Sequence, residues 1–324
     1  MPEYIQELNA AALALQRAKN VVTVSHRRPD GDTIGSALSL ATALEAAGKS
    51  VRCFCVDAVP ISLAPFVGAR EFTADSGVFA GADTVVVLDS GDLRFVGIET
   101  ALAGLAVKPV IINIDHHAIN EKFGDVNLVV TEAASTTEAV FALLKILRAP
   151  VTPEMATNIL MGIVTDTMMF FNPATTASSL HAAAELERLG GDLKKVSRLI
   201  SKNKNIESLV LWGKALERLK WDKTRSRVTT AIMANELNGM APGDDAVDGL
   251  SNFLNNNLSA QTVMVLRELG NGMVKGSLRT ASDDVDVCEE AVRYGGGGHR
   301  KAAGFAVRGR IVEKENEWIV EVAN

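Results

Sequence analysis

Short apolar runs alternate with longer stretches of helical periodicity along the first part of the chain. Residues 21–24, 51–56, 84–88 and 110–114 are apolar with little period-two alternation, the pattern of strands buried on both faces. Between them, residues 33–47 are rich in Ala and Leu and close on Gly48, which predicts a helix with a glycine stop. Ile5, Leu8, Ala12 and Leu15 recur on one helical face, and residues 96–105, 135–147, 153–165, 180–189 and 193–200 also read as helical. Such strands and helices predict an α/β fold built on a mostly parallel sheet covered by helices. The polar segment Ser201-Lys202-Asn203-Lys204-Asn205 predicts a hinge, followed by a helix through Leu209, Leu216 and Leu219. A second α/β pattern follows, with strands over 228–233, 262–266 and 273–278 and helices over 247–254 and 285–293. The expected organisation is a first domain over 1–200, a helical linker or hinge over 201–224, and a smaller α/β domain over 225–324.

A chain of 324 residues is long for one core, which agrees with two domains. Apolar residues at 47% and charged residues at 22% are those of a globular protein. A net charge of -6 argues against clinging to long nucleic acid by bulk electrostatics. It leaves room for a small anion, because local cations or metals invert the field within a cleft. Three cysteines without CxxC spacing argue against a disulfide framework or a thiolate zinc site, and Cys53 and Cys55 read as same-face strand residues. The N-terminus has no basic segment ahead of an uninterrupted apolar one, and no run reaches the roughly 18 apolar residues of a membrane span. No membrane association and a cytoplasmic location are the expectation.

The candidate chemistry sits where the predicted strands and helices end. His26, Asp30 and Asp32 follow the first strand, and Asp89 follows the third within Val-Leu-Asp-Ser-Gly-Asp. Asp115, His116 and His117 close the fourth, and Asp166 ends a helix within Gly-Ile-Val-Thr-Asp-Thr. Open α/β sheets bind ligands at these strand ends. One such Asp alone is more readily an N-cap than a ligand. Together they are oxygen and nitrogen donors without thiolate, a set suited to Mn²⁺. The number of carboxylates points to two ions about 3.5–4 Å apart sharing one Asp, able to clamp a phosphoryl group and acidify a bound water.

A different pattern closes the chain. Tyr294-Gly295-Gly296-Gly297-Gly298-His299-Arg300-Lys301-Ala302-Ala303-Gly304 joins glycines to a His and two cations. Consecutive glycines let backbone N–H groups approach an anion, and the Ala pair reads as a helix start, so phosphate binding at a helix N-terminus is expected. The glycines alone also fit a flexible loop. Gly276-Ser277-Leu278-Arg279-Thr280 places an Arg at a strand end, to fork onto a phosphate or carboxylate or to form a surface ion pair.

The motifs His-x-x-Pro-Asp-Gly-Asp-x-x-Gly-Ser over 26–36, Asp115-His116-His117, Thr165-Asp166-Thr167 and Gly-Gly-Gly-His-x-x-Ala-Ala-Gly over 296–304 occur in this order. In them the chain resembles the DHH phosphoesterase superfamily over residues 20–305, in the branch whose C-terminal domain carries GGGH. Its two-domain layout is similar to the bacterial oligoribonuclease (nanoRNase) and 3′-phosphoadenosine 5′-phosphate phosphatase subfamily. The resemblance implies one Mn²⁺ on His26, Asp30 and Asp89 and another on Asp32, Asp89, His116 and Asp166, with Asp89 bridging and Mg²⁺ or Co²⁺ as substitutes. It further implies His117 as a catalytic residue facing the phosphate or the attacking water, with Asp115 steadying the site. Ser277, Arg279, Gly296, Gly297, Gly298 and His299 would grip substrate across an inter-domain cleft. The implied substrates are short RNA oligonucleotides or dinucleotides and 3′-phosphoadenosine 5′-phosphate, and a homodimer is implied as well. Met168 and Met169 stand where such sequences often carry Gly and a smaller residue. Competing functions are a cyclic dinucleotide phosphodiesterase, a single-strand exonuclease, a manganese pyrophosphatase and a nucleotide-binding scaffold without catalysis.

Overall fold

β-Branched runs shielded on both faces build the first of two sheets. The computed structural model describes residues 4–201, 206–237, 247, 249–269 and 272–323, which fall into two compact units, Met1–Asn203 and Lys204–Asn324. In the first unit β1 (Asn20–Ser25), β2 (Ser50–Phe54), β3 (Phe72–Thr73), β4 (Thr84–Leu88), β5 (Val110–Asp115) and β6 (Val126–Val129) form one sheet. All neighbours are parallel, in the order β3-β2-β1-β4-β5-β6. The chain reverses its direction of growth between β1 and β4, the switch point at which open sheets leave a crevice.

Among the described residues nine helices accompany this sheet: α1 (Ile5–Arg17), α2 (Gly31–Ala46), α3 (Ala64–Val67), α4 (Leu93–Val96), α5 (Glu99–Ala103), α6 (Thr136–Ile146), α7 (Pro153–Asp166), α8 (Ala177–Arg188) and α9 (Leu193–Ser201). Val86, Leu88, Ile112 and Ile114 face the larger core under α1, α2, α6 and α7, while Val85, Val87, Val22 and Val24 face a second core with Phe54, Phe79, Val96 and Leu102. Burial on both faces is why these strands show no alternation. The single helix expected over 96–105 is instead α4 and α5, because Gly97 takes a left-handed φ of 74° and breaks the turn. Among the described residues no helix is long and apolar enough to cross a membrane.

The second unit is a mixed sheet of β7 (Lys220–Asp222), β8 (Arg227–Ile232), β9 (Thr262–Glu268), β10 (Met273–Arg279), β11 (Gly297–His299), β12 (Ala302–Glu313) and β13 (Trp318–Val322). Among the described strands only β8 and β9 pair in parallel. α10 (Ile206–Glu217), α11 (Leu250–Asn257) and α12 (Val287–Arg293) accompany it. Of the expected hinge at 201–205, Ser201 ends α9 and 202–205 lie outside the described residues, and the helix expected from 247 begins at Leu250. The helix expected after the glycine run is corrected outright. Residues 302–313 are a strand paired with β11 in the register Gly297↔Gly304. Ala303 and Phe305 alternate into the core, and a methyl on Gly296 would run into Gly304 O, so hairpin pairing overrides the helix propensity of the Ala pair.

Helix α2 packs closely against α7. A Cβ on Gly162 of α7 would collide with Thr137 Oγ1 and Asp32 Oδ1, so only hydrogen fits there. Gly162→Ala should therefore destabilise the protein by about 1–3 kcal/mol, lowering its calorimetric Tm by several degrees. Gly213→Ala in α10, where an added Cβ meets nothing within 4 Å, should hold or raise it.

Candidate metal centre

Three adjacent parallel strands deliver polar residues to one edge of the first sheet. His26 follows β1, Asp89 follows β4, and Asp115 ends β5 ahead of His116 and His117. Two helix termini supply the rest. Asp30 is the N-cap of α2, its Oδ1 accepting from the amides of Asp32 at 3.0 Å and Thr33 at 3.2 Å. Asp166 is the last residue of α7, brought to Asp32 by the glycine crossing. Asp89 turns in from its strand with a left-handed φ of 61°, a conformation that costs on the order of 1–3 kcal/mol and persists where the surroundings impose it.

The donors gather in overlapping groups. His26 Nε2 lies 3.3 Å from Asp89 Oδ2 and 3.7 Å from Asp30 Oδ1. His116 Nε2 lies 3.2 Å from Asp166 Oδ2, 3.7 Å from Asp89 Oδ1 and 4.0 Å from Asp32 Oδ2. Within His26/Asp30/Asp89, within Asp32/His116/Asp166 and within Asp89/His116/His117, one donor atom per residue lies within 4.8 Å of the others. Asp89 stands between them, with one carboxylate oxygen toward each imidazole.

Charge is crowded here and scarcely solvated. Asp32, Asp89 and His26 are buried. Burial, reinforced by the charges of Asp89 and Asp166, pushes the Asp32 carboxyl well up, and burial lifts Asp166 to about 6 despite its contact with His116. Burial pulls the imidazoles the other way but is outweighed by carboxylates. Asp30 and Asp89 hold His26 at about 11, and Asp166 with Asp32 holds His116 at about 10. Clustered carboxylates of this kind need a cation. The residues fit one: His116 Nδ1 faces Ala133 O at 3.3 Å, while its Nε2 is buried without hydrogen-bond geometry to any partner, and it points into the carboxylates. An imidazole whose far nitrogen is anchored to a carbonyl is oriented as a metal ligand. Hard oxygen donors with imidazole, and no thiolate, suit a divalent cation.

Asp115 and His117 stand beside these donors in a different arrangement. His117 Nδ1–H donates to Asp115 Oδ1 at 2.8 Å, and the same oxygen accepts from the His116 amide at 2.8 Å. Asp115 Oδ2 accepts from Asn120 Nδ2 at 2.6 Å, and that amide group also donates to Asn113 Oδ1 at 2.9 Å. The Asp115 hydrogen bond raises the pKa of His117, whose half-exposed ring keeps Nε2 for another partner.

Sequence reasoning missed the residues that aim the donors. The first two amides of α6, Thr136 N and Thr137 N, donate to Asp32 Oδ2 at 2.6 Å and Oδ1 at 2.8 Å, and Thr136 Oγ1 donates to Asp89 Oδ1 at 2.9 Å. The only signal was Ser-Thr-Thr-Glu, which reads as a helix start. Asn113, polar within an apolar run, was the signal for the Asp115 network.

The remaining predicted residues belong to the second unit. Ser277 and Arg279 lie on one face of β10 and, with Ser251, Arg267 and Lys275, line a polar pocket of about 80 Å³. Arg279 Nε donates to Asn252 Oδ1 at 2.6 Å. Ser277 and Gly297 both pair with Gly304, and Gly296 and Gly298 flank that row. The His299 side chain lies outside the described residues.

Thr136→Val removes the hydroxyl from Asp89 and should weaken Mn²⁺ binding about tenfold or more by calorimetric titration, with Thr136→Ser restoring it.

Residues 20–163 match the DHH family, N-terminal domain, and residues 229–324 match the DHHA1 domain. The chain is 30% identical over 322 residues to the bifunctional oligoribonuclease and PAP phosphatase NrnA of Thermus thermophilus, an alignment covering 99% of this chain and 94% of that one. It is 26% identical to the cyclic-di-AMP phosphodiesterase GdpP of Geobacillus thermodenitrificans, over 88% of this chain but 44% of that protein. The crystal structure of an exopolyphosphatase-related protein from Bacteroides fragilis superposes with a TM-score of 0.86 at 25% identity, covering 94% of this chain and 92% of that one. Full-length identity, both domains in order and the strand-end donor groups converge: the chain belongs to the DHH phosphoesterase family.

Proposed function

We propose that this chain is a Mn²⁺-dependent phosphoesterase that hydrolyses very short oligonucleotides to 5′-mononucleotides and removes the 3′-phosphate of 3′-phosphoadenosine 5′-phosphate. One observation carries the reading: Asp89 turns one carboxylate oxygen to His26 and the other to His116, so a single carboxylate stands between the two sets of donors. His26, Asp30 and Asp89 would hold one cation, and Asp32, Asp89, His116 and Asp166 the other. Such a pair, when bound, supplies positive charge for the phosphoryl oxygens and acidity for a water. The chain's own residues do the rest. Asp115 fixes His117 as a donor through Nδ1 and raises its pKa, so that His117 Nε2–H donates to a phosphoryl or leaving oxygen. The half-exposed ring and the raised pKa that Asp115 gives it favour His117 as a proton donor to substrate.

Ser277, Arg279, the Gly296–Gly298 backbone and His299 would take the phosphate at the far end of the substrate. A net charge of -6 agrees with short soluble substrates in the cytoplasm, since long strands need an extended basic groove. The relative named as an oligoribonuclease and PAP phosphatase supports this substrate class. The likeness to GdpP keeps cyclic dinucleotides as the second reading, which full-length identity to the oligoribonuclease disfavours.

Product analysis with Mn²⁺ on a labelled RNA ladder, with cyclic-di-AMP alongside, tests the reading. Strands of about two to five nucleotides should be cut much faster than longer ones, releasing 5′-mononucleotides, with cyclic-di-AMP slower than the linear dinucleotide. Processive degradation of a long strand at the dinucleotide rate would overturn it. Arg279→Ala should leave bound metal unchanged and raise KM for dinucleotides bearing a terminal phosphate more than for those without one.

A further inference from the structure

The turn that follows Asp166 is shaped in an unusual way. Met168, Met169 and Phe170 take successive left-handed φ values of 49°, 60° and 65°, none of them a Gly, Asn or Asp. Residues held there cost on the order of 1–3 kcal/mol each and survive where the surroundings over-determine them. The surroundings here do so. Met169 N donates to Val164 O at 2.8 Å, Phe170 N to Thr167 Oγ1 at 3.1 Å, and Phe171 N to Thr167 O at 3.0 Å. Asn172 Nδ2 closes the turn on the carbonyl of Asp166 itself at 2.6 Å. Met169 and Phe170 pack against the main core, whereas Phe171 is 80% exposed.

An exposed Phe adds almost nothing to folding, yet this one is anchored through Thr167 within one turn of a donor carboxylate. A second aromatic borders the same donors: Phe95 stacks on His26, with ring centroids 5.5 Å apart at 27°, and remains 42% exposed. A single ring flanked by Asn172, Pro173 and Ala174 is the size of one base, far smaller than the several hundred Å² of apolar surface that marks a protein partner. Every nucleobase offers a π-face, so stacking holds a nucleotide without reading its sequence.

We propose that Phe171 is the stacking platform for the nucleobase next to the phosphate held at the metal centre. This rests on the oligonucleotide reading and deepens it: base stacking, rather than hydrogen-bonded readout, would make the enzyme indifferent to sequence and would give it affinity for substrates too short for many phosphate contacts. The left-handed turn presents the ring while its two predecessors anchor in the core.

The experiment uses the full chain with Mn²⁺ and two substrates, a 5′-phosphorylated adenine dinucleotide and its abasic counterpart. Phe171→Ala should raise KM about tenfold or more on the adenine dinucleotide and less than about twofold on the abasic one. Phe171→Trp should keep the wild-type KM, and the introduced indole should be quenched by AMP. Equal KM changes on both substrates, or no change on the adenine dinucleotide, would overturn the platform. So would a Phe171→Ala variant changed only in its sedimentation, which would make a second copy of the chain the occupant. AMP quenching decides the platform without turnover. A wild-type protein that cleaved no dinucleotide yet whose Phe171→Trp variant was quenched by AMP would therefore sink the substrate reading and leave the platform standing.

Discussion

Three carboxylates, those of Asp32, Asp89 and Asp166, lie within 4.0 Å of the single nitrogen His116 Nε2 in a largely buried pocket. Like charges in so little solvent repel strongly, and burial alone already drives Asp32 and Asp166 toward their neutral forms. A protein keeps such a cluster where a cation is to be bound there. The surrounding structure follows from holding these oxygens in place against their mutual repulsion.

The first unit does so with backbone dipoles and close helix contact. The amino end of α6 places two amides on Asp32, where the helix dipole favours negative charge. The N-cap geometry of Asp30 uses the first turn of α2 in the same way. Gly162 allows α7 to approach α2 so closely that Asp166 reaches the cluster. The parallel sheet contributes the remainder, because neighbouring strands that run the same way end at the same edge. Left-handed backbone holds Asp89 itself and the turn Met168–Phe170 that follows Asp166.

The candidate donors were legible because they follow strands or helices whose apolar pattern is unmistakable, so the sequence alone places His26, Asp89 and the Asp115-His116-His117 run on one edge. What aims them was not. Thr136 sits in a stretch whose local meaning is a helix start, and its bond to Asp89 spans 47 residues. Short elements also escaped: β3 has two residues and no period to show. Ala302 and Ala303 favour a helix locally, and pairing with β11 on one side and with Arg279 and Leu278, remote in sequence, on the other makes them a strand. Local propensity failed where long-range pairing decided the backbone.

The shared carboxylate is the central claim, and anomalous diffraction at the manganese edge from crystals grown with Mn²⁺ tests it most directly. Two anomalous peaks about 3.5–4 Å apart, one on either side of the Asp89 carboxylate, are the result this account predicts. A single peak that excludes Asp89, or peaks only outside the His26, Asp32 and His116 donor groups, would contradict it.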